Sequence, residues 1–279
     1  MANISLTRLE KVSPFRKVAI GTWRTAYDPT VYGTMEIRME QAEQYIEAYR
    51  AQKGERLTVT HLVTAALGRA LRKNPEANGI LRFNRIYLRE DVDIGVLVLA
   101  DDPKTGEIDL SSAVVRGADE ISLQAQIGQL QEQVSNIRSG NDKAMKQSKD
   151  TIRKIPFLLM NAFMKLLSLL LYTWNLDLRW AGLPRDPFGG AVVTSIGSLG
   201  LDTAYVPLVP YTRVPIFVAP GAVKSIPVVG EGGEIEVGRV MGVHASFDHR
   251  FIDGGHAAGL TRDFRRVMEH PFEELDPLD

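Results

Sequence analysis

The chain has 279 residues, of which 44% are hydrophobic and 24% charged, and its formal net charge is −1. This length can bury a substantial core in one large or two small domains, and the composition is typical of a globular protein. The charge gives no electrostatic basis for nucleic-acid binding, and the absence of cysteine excludes disulfides, thiolate metal sites and a cysteine nucleophile. Because the N-terminal residues lack an apolar signal core, we expect a cytoplasmic protein.

The first half of the chain alternates strand and helix patterns after an irregular arm over residues 1–30. The patterns predict, in order, a strand over Val31–Ile37, helices over Glu40–Gln52 and Thr60–Lys73, strands over Arg85–Leu88, Val92–Leu99 and Ser111–Val115, and a helix over Ser122–Arg138. Residues 102–106 predict a turn, and the polar residues 139–150 predict a loop. The second helix is expected to end before Pro75, because a residue before proline disfavours the helical conformation.

The second half contains mainly strand patterns and one amphipathic helix. Strands are predicted over Ala191–Ile196, Val214–Ala219, Val223–Val229 and Ile235–Val243, and the helix over His256–Met268. The glycine-rich run at residues 231–234 predicts a hairpin turn between the last two strands. Without internal repeats or a low-complexity linker, these elements predict one α/β domain with a mixed sheet.

Residues Ile155–Trp174 form a mostly apolar segment whose length would span a bilayer. Asn161, Lys165 and Ser168 interrupt it, and a lysine at the centre of a membrane helix costs about 3 kcal/mol. We therefore expect a core or subunit-interface helix rather than a membrane span. A membrane-surface or partner-binding helix is the second interpretation.

The most informative motif lies near the C-terminus, in the run Ser246–Gly255. It places His249 four residues before Asp253, which precedes two glycines. A histidine at the end of a buried strand is suited to act as a base near neutral pH, although a buried histidine satisfied by backbone is the alternative. An aspartate at a glycine turn can fix the local geometry by pairing with a cation or with backbone amides.

The His-x-x-x-Asp-Gly pattern of this run resembles the active-site motif of chloramphenicol acetyltransferase-like acyltransferases. The longer string Ser-Phe-Asp-His-Arg-x-Ile-Asp-Gly resembles the catalytic core of the dihydrolipoamide acyltransferases of 2-oxoacid dehydrogenase complexes. Further segments resemble that core in the same order, over roughly residues 12–272: Ser13–Lys17, Leu57–Pro75, Pro75–Asn78, Asp93–Val96 and Thr194–Gly200. The resemblance implies a chloramphenicol acetyltransferase-like two-layer α/β sandwich with a mixed sheet.

The resemblance also implies the domain organisation. We expect residues 1–279 to form a single acyltransferase-like catalytic domain, without a lipoyl or peripheral-subunit-binding domain. The apolar segment departs most from the family, so we expect a helical insertion over about 155–181.

In this family the reaction is acyl transfer from a coenzyme A thioester, which implies that His249 is the general base. A thiol has a pKa of about 8.5, so a neutral imidazole is a well-matched base for it. The family's oxyanion donor is a serine, and alignment on Leu199–Gly200 places Gly197 at that position. Ser195, Ser198, a backbone amide or water are the candidate substitutes. On a strand, Ser195 would share the face of Gly197, and Ser198 would point to the other face unless the chain turns there.

The resemblance assigns Asp253 a structural role, in an ion pair with an arginine of the N-terminal segment that corresponds to Arg16. Capping of the following helix is the alternative role of Asp253, and the two roles are compatible. The chain also has several imidazoles and carboxylates between His244 and His256, but alternation points them in different directions and no metal-binding spacing is present. We therefore expect no metal, and no cofactor-binding residue is identified.

Family membership would further imply a homotrimer whose active sites lie at subunit boundaries, with a cubic cage of trimers as the larger form. A lipoyl group would then come only in trans, from a lipoyl-bearing or dehydrogenase-complex partner. Three functions follow: a coenzyme A-dependent acyltransferase, a noncatalytic scaffold or cage subunit that retains the fold, and a membrane-surface or partner-binding module. The intact histidine motif favours the first, and Gly197 is the main argument for the second.

Overall fold

The computed structural model describes residues 2–11, 13, 28–101, 108–139, 155–230 and 232–278. The strands are β1 (Leu6–Arg8), β2 (Thr30–Arg38), β3 (Gly79–Arg82), β4 (Arg85–Arg89), β5 (Ile94–Asp101), β6 (Ile108–Val115), β7 (Ala191–Val193), β8 (Ile216–Val229) and β9 (Ile235–Asp248). The α-helices are α1 (Glu40–Lys53), α2 (Val59–Lys73), α3 (Leu123–Arg138), α4 (Phe157–Ser168), α5 (Gly254–Glu269) and α6 (Pro271–Glu274). A π-helical turn (Leu169–Thr173) and 3₁₀ turns (Pro75–Ala77, Arg179–Ala181 and Gly197–Leu199) complete the secondary structure of these ranges.

A six-stranded sheet in the order β2-β9-β8-β7-β5-β6 forms the centre of the fold. β7 runs parallel to both β5 and β8, whereas the other neighbours are antiparallel, so the sheet is mixed. A smaller antiparallel sheet has the order β1-β4-β3. The predicted α/β domain with a mixed sheet is confirmed.

The two faces of the central sheet bury different residues because side chains alternate along a strand. On one face, Val193 and Val218 pack within the main core, to which α1, α2, α3 and α5 contribute. On the opposite face, Val192 and Phe217 pack against the connection between β7 and β8, including Leu208. The sheet therefore has a helical layer on one side, and the β7–β8 connection covers part of the other.

Most predicted elements are found within one or two residues of their expected bounds, but several differ. β8 is one strand with a bulge between Pro220 and Val223, where two strands were predicted. β9 continues to Asp248, five residues beyond its predicted end at Val243, so His249 follows the strand directly. β1 and β3 were missed because each is short and owes its pairing to β4. The predicted turn at residues 102–106 and the predicted loop at 139–150, apart from Ser139, lie outside the described residues.

The apolar segment divides into a buried part and an exposed part. Leu171 and Tyr172 of the π-helical turn pack with Ile4 and Ile80, which agrees with the expected core role. In contrast, Leu158 at the start of α4 is 90% exposed. No helix within the described ranges combines the length and apolar character needed to cross a membrane.

Helix α2 begins with a capping box that contains a titratable side chain. The Thr58 side chain accepts a hydrogen bond from the His61 backbone N–H, and the Thr58 backbone N–H donates to His61 Nδ1 at 3.0 Å. Burial, with smaller effects from Arg50 and Arg56, lowers the pKa of the His61 imidazole to about 4. The neutral ring is therefore the form that stabilises this end of the helix.

We expect acid to destabilise the protein through His61. The folded-state pKa lies below the unfolded value of 6.5, so as pH falls from 6.5 towards 4 the unfolded chain binds a proton that the folded chain does not. The loss of unfolding free energy across this window should reach about 3 kcal/mol. Urea unfolding at several pH values measures it. His61→Gln should keep a capping box but lose this pH dependence, and equal pH slopes for both proteins would contradict the assignment.

Candidate active site

The end of β9 positions His249 through backbone hydrogen bonds from two other segments. The Asp248 N–H donates to the Pro215 carbonyl, and the His249 N–H donates to the Pro29 carbonyl, both at 2.9 Å. Pro29 precedes β2 and Pro215 precedes β8, the two strands that flank β9. The imidazole is therefore carried by the sheet rather than by an unsupported loop, and it is partly buried.

The hydrogen bond made by one ring nitrogen of His249 determines the tautomer. Nδ1 lies 2.9 Å from the carbonyl oxygen of Ile252. A carbonyl oxygen can only accept, so in the neutral ring Nδ1 carries the proton and Nε2 carries the basic lone pair. This orientation is what a general base requires.

An ion pair supports the turn that follows His249. Asp248 is buried, with 5% of the residue exposed. Its carboxylate accepts hydrogen bonds from Arg250 Nε at 2.9 Å and Nη2 at 2.5 Å. The Ile252 N–H donates to the Asp248 carbonyl at 3.0 Å, and Phe251 and Ile252 are buried. Sequence reasoning did not predict this pair, although an acid and an arginine flanking the histidine were a visible signal.

Asp253 caps α5, which is the alternative role expected for it. Its Oδ1 accepts hydrogen bonds from the N–H groups of Gly255 at 3.0 Å and His256 at 3.1 Å. His256 Nδ1 lies 2.6 Å from the same oxygen, and its Nε2 lies 2.6 Å from Glu76 Oε2. The expected partner Arg16 lies outside the described residues, so the Arg16–Asp253 pair stays a prediction.

The segment expected to carry the oxyanion donor is a turn rather than a strand. β7 ends at Val193, the Ile196 N–H donates to Pro220 O at 3.1 Å, and a 3₁₀ turn begins at Gly197. The predicted strand thus ends three residues early, and the exception expected for Ser198 applies: because the chain turns here, strand alternation does not determine where Ser195 and Ser198 point. The Ser198 hydroxyl donates to the Ser195 carbonyl at 2.7 Å, so its proton is already engaged within the turn.

Gly197 lies where the backbone leaves no room for a side chain. A Cβ atom there would be 2.2 Å from the Gly221 carbonyl oxygen and 2.7 Å from the Ala222 nitrogen, in the bulge of β8. No real Cβ approaches backbone this closely without a shift of the chain. The glycine is therefore required by the local packing as the structure has it.

His244, the histidine within β9, is buried and held by two hydrogen bonds. It is 5% exposed, its Nδ1 lies 2.8 Å from Thr34 Oγ1, and its Nε2 lies 2.9 Å from the Asp202 carbonyl. It thus links β9 to the segment that follows the Gly197 turn. In the ranges that the structure describes, no group of three or more histidine or acidic side chains is arranged to hold a metal ion.

The structure does not bring His249 and the Gly197 turn together within one chain. Phe247 pairs with Ile216 at the start of β8, whereas Gly197 lies against Gly221, further along the same strand. His249 extends beyond Phe247 in the opposite direction. The two positions are thus separated by about 20 Å along the sheet, at roughly 3.3 Å per residue.

Comparison with known proteins gives a family. The pattern of 2-oxoacid dehydrogenases acyltransferase (catalytic domain) matches residues 6–153 and 186–275, and leaves out the apolar segment between them. A curated relative is the lipoamide acyltransferase component of the branched-chain alpha-keto acid dehydrogenase complex of Pseudomonas aeruginosa, 35% identical over 89 residues. That alignment covers 31% of this chain and only 20% of the relative.

Solved structures show the same fold. Dihydrolipoamide acetyltransferase of Azotobacter vinelandii, studied for the roles of a serine, a histidine and an asparagine in its catalytic mechanism, has a TM-score of 0.65 at 18% identity and covers 95% of this chain and 93% of that chain. The cubic core of a pyruvate dehydrogenase multienzyme complex has a TM-score of 0.64 at 19% identity, with the same coverage. Chloramphenicol acetyltransferase has a TM-score of 0.50 at 14% identity, covering 95% of this chain and 100% of that chain. The predicted chloramphenicol acetyltransferase-like α/β fold is confirmed.

Proposed function

The chain belongs to the 2-oxoacid dehydrogenase acyltransferase (catalytic domain) family, and from this premise we propose that it transfers an acyl group between coenzyme A and a second thiol, with His249 as the general base. The observation that carries the proposal is the hydrogen bond from His249 Nδ1 to the Ile252 carbonyl, at 2.9 Å. It holds the ring in the tautomer whose Nε2 can accept a proton. The acyl donor is a coenzyme A thioester, and the acceptor is a dihydrolipoyl group that arrives in trans.

In this mechanism His249 Nε2 removes the proton from the attacking thiol. The thiolate adds to the thioester carbonyl, which gives a tetrahedral oxyanion, and the C–S bond to coenzyme A then breaks. The departing thiolate recovers the proton from the imidazolium, so the base is regenerated. The Asp248–Arg250 pair and the Ile252 carbonyl keep the imidazole oriented through both proton transfers.

Residue spacing supports Gly197 as the position of the missing oxyanion donor. In the Azotobacter enzyme the studied serine precedes the histidine by 52 residues, and the asparagine follows the histidine by four. In this chain, Gly197 precedes His249 by the same 52 residues, and Asp253 follows His249 by four. Because the Ser198 proton is donated to the Ser195 carbonyl, we propose that the Ser195 hydroxyl stabilises the oxyanion.

The separation of about 20 Å between His249 and the Gly197 turn supports a site shared between two copies of the chain. We therefore propose that residues 1–279 form one catalytic domain that assembles as a homotrimer, in which the turn of one protomer meets His249 of its partner. The cubic core found among the similar structures supports our proposal of a cage of trimers as the larger assembly. A dehydrogenase complex would supply the lipoyl-bearing partner.

A noncatalytic scaffold is the second candidate function. It is favoured by Gly197, because the backbone of Gly221 and Ala222 excludes a serine at this position. Such a subunit would keep the fold and the assembly without turnover.

Incubation with acyl-coenzyme A thioesters of several chain lengths and free dihydrolipoamide distinguishes these functions. An acyltransferase should form acyl-dihydrolipoamide, detectable by mass spectrometry, in proportion to enzyme concentration. Absence of product with every chain length would remove the catalytic proposal and favour the scaffold. Light scattering on the same sample gives the assembly mass, and a monomer would contradict the shared site.

Substitution of the two serines tests the oxyanion assignment. We expect Ser195→Ala to lower kcat by about 10²–10³-fold, the usual effect of losing one oxyanion donor. Ser198→Ala is the matched control, because its hydroxyl donates to a backbone carbonyl within the turn, and it should leave kcat near the wild-type value. If Ser198→Ala is the more damaging change, the assignment is reversed.

A further inference from the structure

The imidazole of His256 contacts two carboxylates that come from different segments of the chain. Its Nδ1 lies 2.6 Å from Asp253 Oδ1, and its Nε2 lies 2.6 Å from Glu76 Oε2. His256 is in the first turn of α5, which Asp253 caps, whereas Glu76 belongs to the 3₁₀ turn Pro75–Ala77. A protonated imidazole donates from both nitrogens, so this one side chain can bind both carboxylates. We call these three side chains the His256 bridge.

One end of the His256 bridge adjoins the group that orients His249. Asp253 directly follows Ile252, whose carbonyl oxygen lies 2.9 Å from His249 Nδ1. The Ile252 carbonyl and the N–H and Cα of Asp253 belong to the same planar peptide unit. An interaction that fixes Asp253 therefore also restrains the Ile252 oxygen, and with it the ring of His249.

The other end of the His256 bridge is anchored in a well-supported turn. The Ala77 N–H donates to the Asn74 carbonyl at 3.0 Å, and Ala77 is fully buried. A Cβ atom on Gly79 would lie 3.5 Å from Phe251 Cδ2, so Phe251, two residues before the cap of α5, packs against the same segment. Glu76 is thus a fixed anchor for the other two side chains of the bridge.

A second hydrogen bond joins α5 to the same segment, farther from the cap. Asn74 Nδ2 donates to Asp263 Oδ2 at 2.8 Å, and a Cβ atom on Gly259 would be 2.5 Å from Asn74 Oδ1. His256, Gly259 and Asp263 are spaced three and four residues apart, which places them on one face of the helix. Asp263 lies about 15 Å along the helix from Asp253, at 1.5 Å per residue. The Asn74–Asp263 bond therefore fixes α5 at a distance from its cap and provides a matched control.

The exposure of the His256 bridge decides what it can contribute. The side chains of His256, Asp253 and Glu76 are 24%, 33% and 50% exposed, so solvent screens their attraction and its effect on global stability is small. The position of the bridge next to Ile252 gives it a local effect instead. We propose that His256 is a positioning residue for His249: by binding Asp253 and Glu76, it holds the Ile252 carbonyl where it accepts the Nδ1 proton. The link of this role to turnover rests on the proposed function, whereas the role itself concerns the turn.

Amide hydrogen exchange of the full chain, read by mass spectrometry, tests the role without any measurement of activity. The N–H groups of Phe251 and Ile252 donate to the Asp248 carbonyl and report on the turn. His256→Ala should raise their exchange rate at least about fivefold, because the turn opens more readily. His256→Gln should restore slow exchange, because the glutamine amide carries two N–H donors. Asp263→Ala should exchange as the wild type does.

Steady-state kinetics with acetyl-coenzyme A and dihydrolipoamide gives the second readout. His256→Ala should lower kcat about tenfold or more with little change in KM, because a misplaced base affects the chemical step. His256→Gln and Asp263→Ala should keep kcat near the wild-type value. Circular dichroism verifies that each variant is folded.

Unchanged exchange at Phe251 and Ile252 in His256→Ala would overturn the proposal. An equal increase in Asp263→Ala would also overturn it, because the effect would then be a general loosening of α5. Faster exchange with an unchanged kcat would overturn the positioning role, because the ring of His249 would then not need this support. A wild-type protein without turnover would remove the proposed function alone, and the exchange rates of the variants would then decide the role of His256.

Discussion

Replacement of His249 by asparagine is expected to lower kcat for acyl transfer by about 10²–10⁴-fold, the range that general-base catalysis contributes. Asparagine can place an amide N–H close to the position of Nδ1, so the hydrogen bond to the Ile252 carbonyl can persist. It has no counterpart of Nε2. The substitution thus removes the proton acceptor while retaining the local support of the turn, and steady-state kinetics with acetyl-coenzyme A and dihydrolipoamide measures the effect.

Mixing of two inactive proteins provides the companion experiment. A trimer that combines His249→Asn and Ser195→Ala protomers has some boundaries where an intact His249 meets an intact Ser195. Such mixed trimers should regain part of the activity if protomers share each site. Persistence of near wild-type kcat in His249→Asn alone would refute the role of the imidazole. Absence of recovery in verified mixed trimers would refute the sharing of the site between copies.

Substitution of Asp186 by alanine is expected to lower the free energy of unfolding by about 3–5 kcal/mol. The Asp186 carboxylate pairs with Arg89, and the two side chains are 5% and 2% exposed. Arg89 Nε and Nη2 have no hydrogen-bond partner within the described ranges, so loss of Asp186 would leave a buried guanidinium uncompensated. Urea unfolding monitored by circular dichroism measures the change.

Two further variants separate the ion pair from general damage. Glu10→Ala removes an exposed partner of Arg8, at 3.8 Å, and should cost less than about 1 kcal/mol. Arg89→Met in the Asp186→Ala background removes the orphaned charge and should restore part of the loss. A loss below about 1 kcal/mol in Asp186→Ala would show that the pair is not effectively desolvated.

The Asp186–Arg89 pair also connects the insertion to the rest of the fold. The Asp186 N–H donates to Asn3 Oδ1 at 3.1 Å, and Asn3 Nδ2 donates to the Leu171 carbonyl at 3.2 Å. Residues distant in sequence thereby meet at the end of the insertion.

The sequence by itself determined the elements and the position of the candidate base. Helical and strand periodicities predicted α1, α2, α3 and most of the central sheet, because the spacing of apolar residues depends only on local geometry. The run around His249 was sufficient to identify the family, and it predicts the role of general base for His249, because the residues of the motif are adjacent in sequence. The alignment also identified Gly197 as the departure from the family.

Only the tertiary structure decided the backbone conformation around these residues and which distant segments contact them. Because β7 ends at Val193 and the chain turns, strand alternation does not apply to Ser195 and Ser198. Gly197 is required by its close approach to Gly221, which lies on another strand. The wide separation of His249 from this turn follows from the register of β8 against β9. Register and close backbone approach depend on segments far apart in sequence, and periodicity contains no information about which of them meet.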